Sequence, residues 1–274
     1  MSEPIKTMKL YTGVGRVFNE LRELGIADDA PLRVEDLVRF DQYHYEGITA
    51  VNEAITRCNI QANHHVLEVG SGIGGPARYM AHTTGCRVTA VELQADLNET
   101  AAHLTSRCGL ADQVKHIQGD FLARNFGGGF DTVASWLAFL HISDKRKLLA
   151  RCFAELKPGG HLFIEDFSRL GQFTPAEEED LRVKVYCEDV PTPDEYQALL
   201  RDAGFTDIIY VDKTASWTTF VNERFTAFRA DIDRPIRVHG EEIVAGLDDF
   251  YDAMNRLYQG DNLGGIRLVA RKSE

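Results

Sequence analysis

The residues best suited to carry chemistry form a glycine-rich segment directly after an apolar run. Residues 66–69 are apolar apart from Glu68, and Gly70, Gly72, Gly74 and Gly75 follow them. Glycine lets the backbone turn sharply, and without a Cβ it leaves N–H groups and a helix N-terminus open to a ligand. The segment therefore predicts a strand, a cofactor-binding loop and a helix.

The glycines alone do not identify the cofactor, because Gly70, Gly72 and Gly75 also satisfy the dinucleotide pattern G-x-G-x-x-G. Glu68 decides between the alternatives. Its carboxylate, at the mouth of the strand, would repel a pyrophosphate bound on the loop but suits the ammonium and sulfonium groups of S-adenosylmethionine. The sequence therefore favours S-adenosylmethionine over NAD.

Two further acids follow predicted strands. Residues 86–93 predict a second strand in which Glu92 and Leu93 stand about 20 residues beyond the glycines, where a carboxylate binds a ribose diol. Residues 114–121 form a third unit that ends in Asp120 and Phe121, which suit an adenine amino group and ring face. The alternative is that each acid only caps the helix that follows it.

The acids Glu68, Glu92 and Asp120 at three successive strand ends resemble the pattern of class I S-adenosylmethionine-dependent methyltransferases. The chain also resembles the small-molecule N-methyltransferases that act on phosphoethanolamine, sarcosine and dimethylglycine. The segments that carry this resemblance are residues 40–47, 70–78, 135–141 and 156–160.

The resemblance implies S-adenosyl-L-methionine as cofactor and S-adenosyl-L-homocysteine as product. It implies methyl transfer to a small metabolite, with an amine nitrogen as the first choice of acceptor. Oxygen, carbon or sulfur of a more apolar metabolite is the alternative. A nucleotide-binding oxidoreductase, or a cofactor-binding protein without activity, is the third hypothesis.

Residues 40–47 hold the second cluster of candidate site residues. We expect Gln42 and Tyr43 to close over the methionine end of the cofactor, because aromatic faces stabilise a nearby cation. Tyr43 is also a candidate catalytic residue, and Tyr45 a candidate substrate contact. The alternative is an amphipathic lid helix with ordinary interfacial tyrosines.

Trp136 and His141 follow the fourth predicted strand, and we place Trp136 at the cofactor and His141 at the substrate. The related N-methyltransferases usually carry an aspartate four residues before this histidine, whereas Leu137 stands here. We expect His141 to act as a general base or polar contact, because a pKa near 6.5 suits proton transfer at neutral pH.

Either another acid, such as Glu165 or Asp166, orients His141, or the substrate differs from a phospho-base. Asp166 is also a candidate substrate contact. The alternatives are a helix-start histidine bonded to backbone and a Trp136 that only packs in the core. Arg78, Arg182 and Lys184 are candidates to anchor a carboxylate or phosphate of the acceptor.

The elements that position these residues alternate between strand and helix. Strands are predicted over residues 130–136, 161–166, 207–212 and 265–271, and helices over 144–156 and 193–204, with residues 157–160 as a turn. The predicted fold is α/β: a doubly wound, seven-stranded, mostly parallel sheet of the Rossmann-like class I methyltransferase type.

We expect one domain over residues 1–274. It comprises an N-terminal helical lid (1–60), a cofactor-binding core (61–213), a helical cap between strands six and seven (214–263) and the last strand (264–274). A lid and a cap over the same end of the sheet imply a small, enclosed substrate site.

Composition limits the partners. The 274 residues carry a net charge of −12 and five scattered cysteines. No basic stripe could offset phosphates, so we expect a small-molecule substrate and no nucleic acid. The chain shows no signal-peptide pattern and no apolar span of about 20 residues. We expect a cytoplasmic protein with reduced thiols, no metal and no membrane contact, as a monomer or a homodimer.

Overall fold

A seven-stranded sheet forms the centre of the computed structural model, which describes residues 13–274. Its strands are β1 (His65–Val69), β2 (Arg87–Glu92), β3 (Val114–Gln118), β4 (Phe130–Trp136), β5 (Leu156–Arg169), β6 (Phe205–Asp212) and β7 (Leu263–Lys272). They lie in the order β3-β2-β1-β4-β5-β7-β6. β1 to β5 are parallel, and β7 runs antiparallel between β5 and β6. The predicted doubly wound α/β sheet is confirmed.

Helices cover both faces and one end of this sheet. They are α1 (Arg16–Glu23), α2 (Val34–Leu37), α3 (Ile48–Arg57), α4 (Gly75–Thr84), α5 (Ala95–Arg107), α6 (Lys145–Glu155), α7 (Pro175–Val183), α8 (Pro193–Asp202), α9 (Thr214–Ala230), α10 (Asp233–His239) and α11 (Glu241–Gln259). A short 3₁₀ turn, Phe139–His141, follows β4.

The central strands are apolar without interruption because both of their faces are covered. Every residue of β4 is buried. Val133 packs in a cluster with Leu148 of α6 and Leu200 of α8. Ala134, the next residue, faces the other way and packs with residues of α3 and α4. Continuous apolar strands of this kind are typical of parallel sheets between helical layers.

The predicted turn over residues 157–160 was wrong as a boundary. α6 ends at Glu155 and β5 begins at once at Leu156, which pairs with Phe130. The next pairing joins His161 to Thr132. The four residues are therefore accommodated as an irregularity inside β5, where Gly159 adopts a φ of 76°.

The lid and the cap are helical where the structure describes them. The lid consists of α1 to α3, and residues 1–12 of the predicted lid lie outside the described residues. The cap consists of α9 to α11. The division of the chain into lid, core, cap and last strand stays a prediction. Among residues 13–274, no helix has the length and apolar character needed to cross a bilayer.

Candidate active site

A cavity opens at the carboxyl ends of β1, β2 and β4, where the strand order reverses on either side of β1. Such a switch point is where doubly wound sheets bind their ligands. The predicted site residues that line the cavity are Tyr43, Glu68, Gly70, Gly72, Glu92, Leu93, Phe121, Trp136 and His141.

The loop after β1 needs glycine at two positions for close packing. Gly70 has a φ of 75°, and a Cβ there would collide with Ala138. A Cβ on Gly75 would collide with the backbone carbonyl of Asp41, so the lid segment packs directly on the start of α4. Gly74 does not line the cavity, and a Cβ there would meet His116 and Arg78. Its contact with the cofactor stays a prediction.

Glu92 fastens this loop to the end of β2. Its Oε2 accepts a hydrogen bond from Gly72 N at 2.9 Å, and its Oε1 accepts one from Gln94 N at 2.9 Å. Burial raises the pKa of the carboxyl group, while the three backbone donors of Gln94, Gly72 and Leu93 oppose that rise. Glu92 thus presents an oriented carboxyl group to the cavity.

Glu68 is a buried acid with an unused acceptor. Its side chain is almost wholly shielded from solvent, and burial raises its pKa to about 8. Oε2 has no hydrogen-bond partner among residues 13–274. Because buried polar atoms are normally paired, an orphaned carboxylate oxygen on a cavity wall fits a cationic or hydrogen-donating ligand group.

Two more buried polar atoms of the same cavity have no partner within the described part of the chain. They are Trp136 Nε1, which can only donate, and the hydroxyl of Ser71. An acceptor, a donor and a hydroxyl group around one cavity fit a ligand with mixed polar groups, such as S-adenosylmethionine.

The lid contributes one wall. The ring of His44 lies 5.8 Å from that of Trp136, and its Nε2 donates to the Gly47 carbonyl at 3.0 Å. Burial lowers the pKa of His44 to about 4, so this histidine is neutral at physiological pH. Burial also raises the pKa of Tyr43, which keeps its phenol protonated.

His141 is oriented by a backbone carbonyl rather than by an acid. Its Nδ1 lies 3.1 Å from Tyr186 O, and since a carbonyl can only accept, Nδ1 carries the proton. Nε2 therefore holds the free lone pair. Burial lowers the pKa of His141 to about 4, so the expected pKa near 6.5 was wrong. His141 is a neutral acceptor at physiological pH.

The two acids expected to orient His141 are engaged elsewhere. Glu165 forms a buried ion pair with Arg267 at 2.6 Å. Asp166 accepts hydrogen bonds from the Tyr196 hydroxyl at 3.0 Å and from Phe167 N at 2.9 Å, and it does not line the cavity. Asp166 thus ties β5 to Tyr196 of α8, and its contact with the substrate stays a prediction.

Three other predicted residues do not reach the cavity wall. Tyr45 packs under the cap, with its ring 5.1 Å from Trp217. Asp120 accepts a hydrogen bond at its Oδ1 from Leu122 N at 2.8 Å, in a turn that no helix follows. Gln42 lines a second, neighbouring cavity, and its Nε2 donates to Asp41.

Two of the candidate anion anchors were also wrong. Arg78 is fully buried in an ion pair with Asp41 at 2.9 Å, which ties α4 to the lid. Arg182 is exposed and pairs with Glu179 on the surface of α7. Lys184 lines the second cavity but is paired with Asp249.

Lys145 was missed by sequence reasoning. Its buried Nζ donates to Phe139 O at 2.9 Å and to Ile142 O at 2.8 Å, and so it fixes the 3₁₀ turn that carries His141. A cation in the first turn of a helix opposes the helix dipole. That unfavourable placement was the available signal that Lys145 has another task.

Comparisons with known proteins agree with this geometry. A family model described as a methyltransferase domain matches residues 66–160. The sarcosine/dimethylglycine N-methyltransferase of Halorhodospira halochloris is 30% identical over 203 residues, which cover 71% of this chain and 71% of that protein. Phosphoethanolamine N-methyltransferase 1 of Arabidopsis thaliana is 33% identical over 61% of this chain.

The chain spans about half, or less, of the length of several phosphoethanolamine N-methyltransferases that it matches. It covers 34% and 51% of two proteins from Arabidopsis thaliana and 38% of one from Triticum aestivum.

Solved structures share the fold at low identity. Phosphoethanolamine N-methyltransferase 2 of Haemonchus contortus, bound to phosphomonomethylethanolamine and S-adenosylhomocysteine, superposes with a TM-score of 0.81. It is 20% identical and aligns with 98% of this chain and 59% of that chain. A mycolic acid cyclopropane synthase gives a TM-score of 0.72 at 13% identity, covering 82% of this chain and 84% of that chain.

Proposed function

Because this chain belongs to the class I S-adenosylmethionine-dependent methyltransferases, we propose that it methylates a small-molecule metabolite at an amine nitrogen. The products are the methylated amine and S-adenosyl-L-homocysteine. The observation that carries the proposal is Glu68, a buried carboxyl group with a free oxygen on the wall of the cavity behind the glycine loop. A cationic ligand would pair with this group and offset the free energy that its unpaired burial costs.

S-adenosyl-L-methionine would be held by the residues that line the first cavity, and it supplies an electrophilic methyl group on a sulfonium. Glu68 attracts the cationic end of this cofactor. Glu92 accepts from the ribose hydroxyls, and Leu93 and Phe121 contact the adenine ring. Tyr43 and the lid exclude water from the reacting atoms, because methyl transfer depends on alignment and on a dry site.

His141 acts on the acceptor. The ring proton lies on Nδ1 and is donated to Tyr186 O, so Nε2 is unprotonated and its lone pair can accept a hydrogen bond. It can therefore accept a hydrogen bond from the N–H of an amine and orient the nitrogen lone pair toward the methyl group. A group whose pKa is about 4 is a weak base, so orientation is its main task.

A second candidate function is methyl transfer to oxygen, carbon or sulfur of a more apolar metabolite. Leu137 favours it, because this apolar residue lines the cavity where the resembling N-methyltransferases usually carry an acid. Proximity alone would then drive the transfer. We further propose a cytoplasmic enzyme that acts on free metabolites and not on nucleic acid, in keeping with the net charge of −12.

Calorimetry tests the cofactor assignment. S-adenosylhomocysteine is expected to bind the purified protein and NADH is not. Binding of NADH with displacement of S-adenosylhomocysteine would instead support the oxidoreductase hypothesis, because both ligands would then share the glycine loop.

A further inference from the structure

A second cavity of about 400 Å³ adjoins the first one. It lies between lid helix α1, cap helices α9 and α11, and the segment that follows α7. Tyr43 lines both cavities. Tyr186 lines the second one, and its carbonyl holds His141 in the first. An acceptor in the second cavity can therefore extend past Tyr43 toward His141.

One side of the second cavity is apolar and largely aromatic. Phe40, Tyr186, Leu247, Phe250 and Tyr251 line it. Small-molecule sites normally combine such hydrophobic and aromatic side chains with a few polar groups that orient the ligand.

The residues that line the second cavity carry more positive than negative charge. Three of the lining charges lie in ion pairs: Lys184 pairs with Asp249, and Glu20 pairs with Arg234 at 2.6 Å. Arg16, Arg39 and Arg224 also line the cavity, and none has an ion pair with a carboxylate among residues 13–274. Arg39 is exposed to solvent, whereas Arg16 and Arg224 are half-buried. Glu242, the remaining lining acid, is exposed to solvent.

The environment of the two arginines shows that they are built into the cavity. Arg16 lies over the Tyr43 ring at 5.7 Å, and its Nε is buried without a partner in the described chain. Arg224 lies over the rings of Phe220 and Tyr251 at 5.2 Å and 5.3 Å. Arg16 also shares a side-chain hydrogen bond with Tyr43. The remaining N–H groups of a half-buried guanidinium that stacks on aromatic rings can bind an anion. A buried donor without a partner points to a missing ligand group.

We propose that the methyl acceptor is an amphipathic anion whose carboxylate, phosphate or sulfonate group binds Arg16 and Arg224. Its apolar body lies on the wall formed by Phe250 and Tyr251, and its methyl-accepting atom reaches His141 past Tyr43. Leu137 agrees with this assignment, because it leaves no carboxylate beside His141 for a permanently cationic group. The inference rests on the proposed function and names its substrate class.

Two fluorescent probes with the same apolar body test the proposal. Anilinonaphthalene sulfonate carries the anionic group, and phenylnaphthylamine lacks it. Both are titrated into the full chain saturated with S-adenosylhomocysteine, so that the first cavity is blocked. The sulfonate is expected to bind at least about 10-fold more tightly than the neutral probe, as a charge-assisted pair with arginine predicts.

Arg16→Met and Arg224→Met should each remove most of that preference and leave the neutral probe unchanged. The matched control is Arg229→Met. Arg229 lies on the same helix as Arg224 but is paired with Asp248 at 2.7 Å, so its loss should leave both probes unaffected. Leu247→Ser should weaken both probes alike, because it removes apolar wall only.

Equal binding of the two probes, absence of sulfonate binding, or a preference that survives both arginine variants would overturn the proposal. S-adenosylhomocysteine binding is read in the same samples. A protein that binds this compound without discriminating the probes contradicts the acceptor class alone. If the protein discriminates between the probes but does not bind S-adenosylhomocysteine, the proposed methyl transfer is contradicted and the acceptor class is not.

Discussion

Glu92 Oε2 and Gly72 N are joined by a hydrogen bond of 2.9 Å, so the acid that ends β2 fixes the glycine loop that follows β1. One residue thus has two tasks: it orders the loop and presents a carboxyl group to the cavity. Gly72 itself adopts a φ of 53°, which glycine accepts readily.

Glu92→Ala is expected to weaken S-adenosylhomocysteine binding by about 1 to 3 kcal/mol, since a charge-assisted acceptor for the ribose is lost and the Gly72 N–H loses its partner. Calorimetry measures this. Glu99→Ala, an exposed acid on α5, is the control and should bind as the parent does. Unchanged affinity in Glu92→Ala would refute the assignment of this strand end.

Glu68→Gln should change the stability of the fold and the affinity for S-adenosylhomocysteine in opposite directions. Because burial raises the folded-state pKa of Glu68 to about 8, the folded state holds a proton that the unfolded state releases, and stability falls as pH rises from about 5 through 8. Glutamine cannot ionise. The variant should therefore gain stability relative to the parent as pH rises, while it binds S-adenosylhomocysteine more weakly.

Chemical denaturation at several pH values measures the difference for Glu68→Gln. Other buried acids, such as Glu165 with a pKa of about 7, also make the free energy of unfolding fall as pH rises. They are present in both proteins, so their effect cancels in the comparison. A stability difference between variant and parent that stays constant from about pH 5 to 8 would show that Glu68 is already ionised in the free protein.

His141→Ala should lower turnover by about 100-fold or more, in line with the loss of a group that contacts a reacting proton. Since burial lowers the pKa of His141 to about 4, the parent rate should show no step near pH 6.5 from this residue. His82→Ala, at an exposed position on α4, is the control. A rate that follows a group near pH 6.5 and loses this dependence in His141→Ala would contradict the neutral assignment.

Leu137→Asp tests the difference from the resembling N-methyltransferases. Leu137 has a φ of 51°, a conformation that aspartate and asparagine tolerate better than leucine, so Leu137→Asn controls for the backbone. We expect neither variant to gain activity toward phosphoethanolamine or dimethylglycine, because a desolvated carboxylate there lacks a partner. New activity in the aspartate variant alone would identify the acceptor as a compact amine.

The lid is latched to the cap by ion pairs between α1 and α10. Glu20 pairs with Arg234 and Glu23 with Arg237, each at 2.6 Å. The double variant Arg234→Met/Arg237→Met should release S-adenosylhomocysteine about 10-fold faster. The exposed Glu23–Arg237 pair contributes about 0 to 1 kcal/mol, and Glu20, which is buried, loses the arginine of a partly buried pair.

Stopped-flow measurements of release, repeated at rising salt, test this latch. The parent should speed up as salt screens the pairs, and the double variant should respond less. Arg22→Met is the control, because Arg22 pairs with Asp28 inside the lid. Equal salt responses in parent and double variant would show that the ion pairs do not gate the site.

Much of the fold could be predicted from the sequence because its signals are local. The apolar run that forms β4 was predicted with its observed bounds, Phe130–Trp136. The glycine loop, Glu68 and Glu92 were likewise placed at strand ends that meet at one edge of the sheet. For these residues, distance along the chain and position in a parallel sheet are enough.

The errors concern side-chain direction and distant partners. Asp120 and Phe121 follow the same strand, yet only Phe121 lines the cavity, because Asp120 caps Leu122 N. Arg78 finds Asp41, 37 residues earlier, in a buried pair that no local pattern reveals. The second cavity combines α1 with α9 and α11, which are far apart in the chain, so its charges could be read only from the structure.

Methyl transfer from S-adenosylmethionine to a small molecule in the first cavity can be measured by incubating the protein with methyl-labelled S-adenosylmethionine and a metabolite mixture. Products are scored by mass. We expect the parent to form a labelled small-molecule product, and His141→Ala to form it at a rate about 100-fold lower. No labelled small-molecule product with the parent, under conditions where S-adenosylhomocysteine binds, would contradict the proposed methyl transfer.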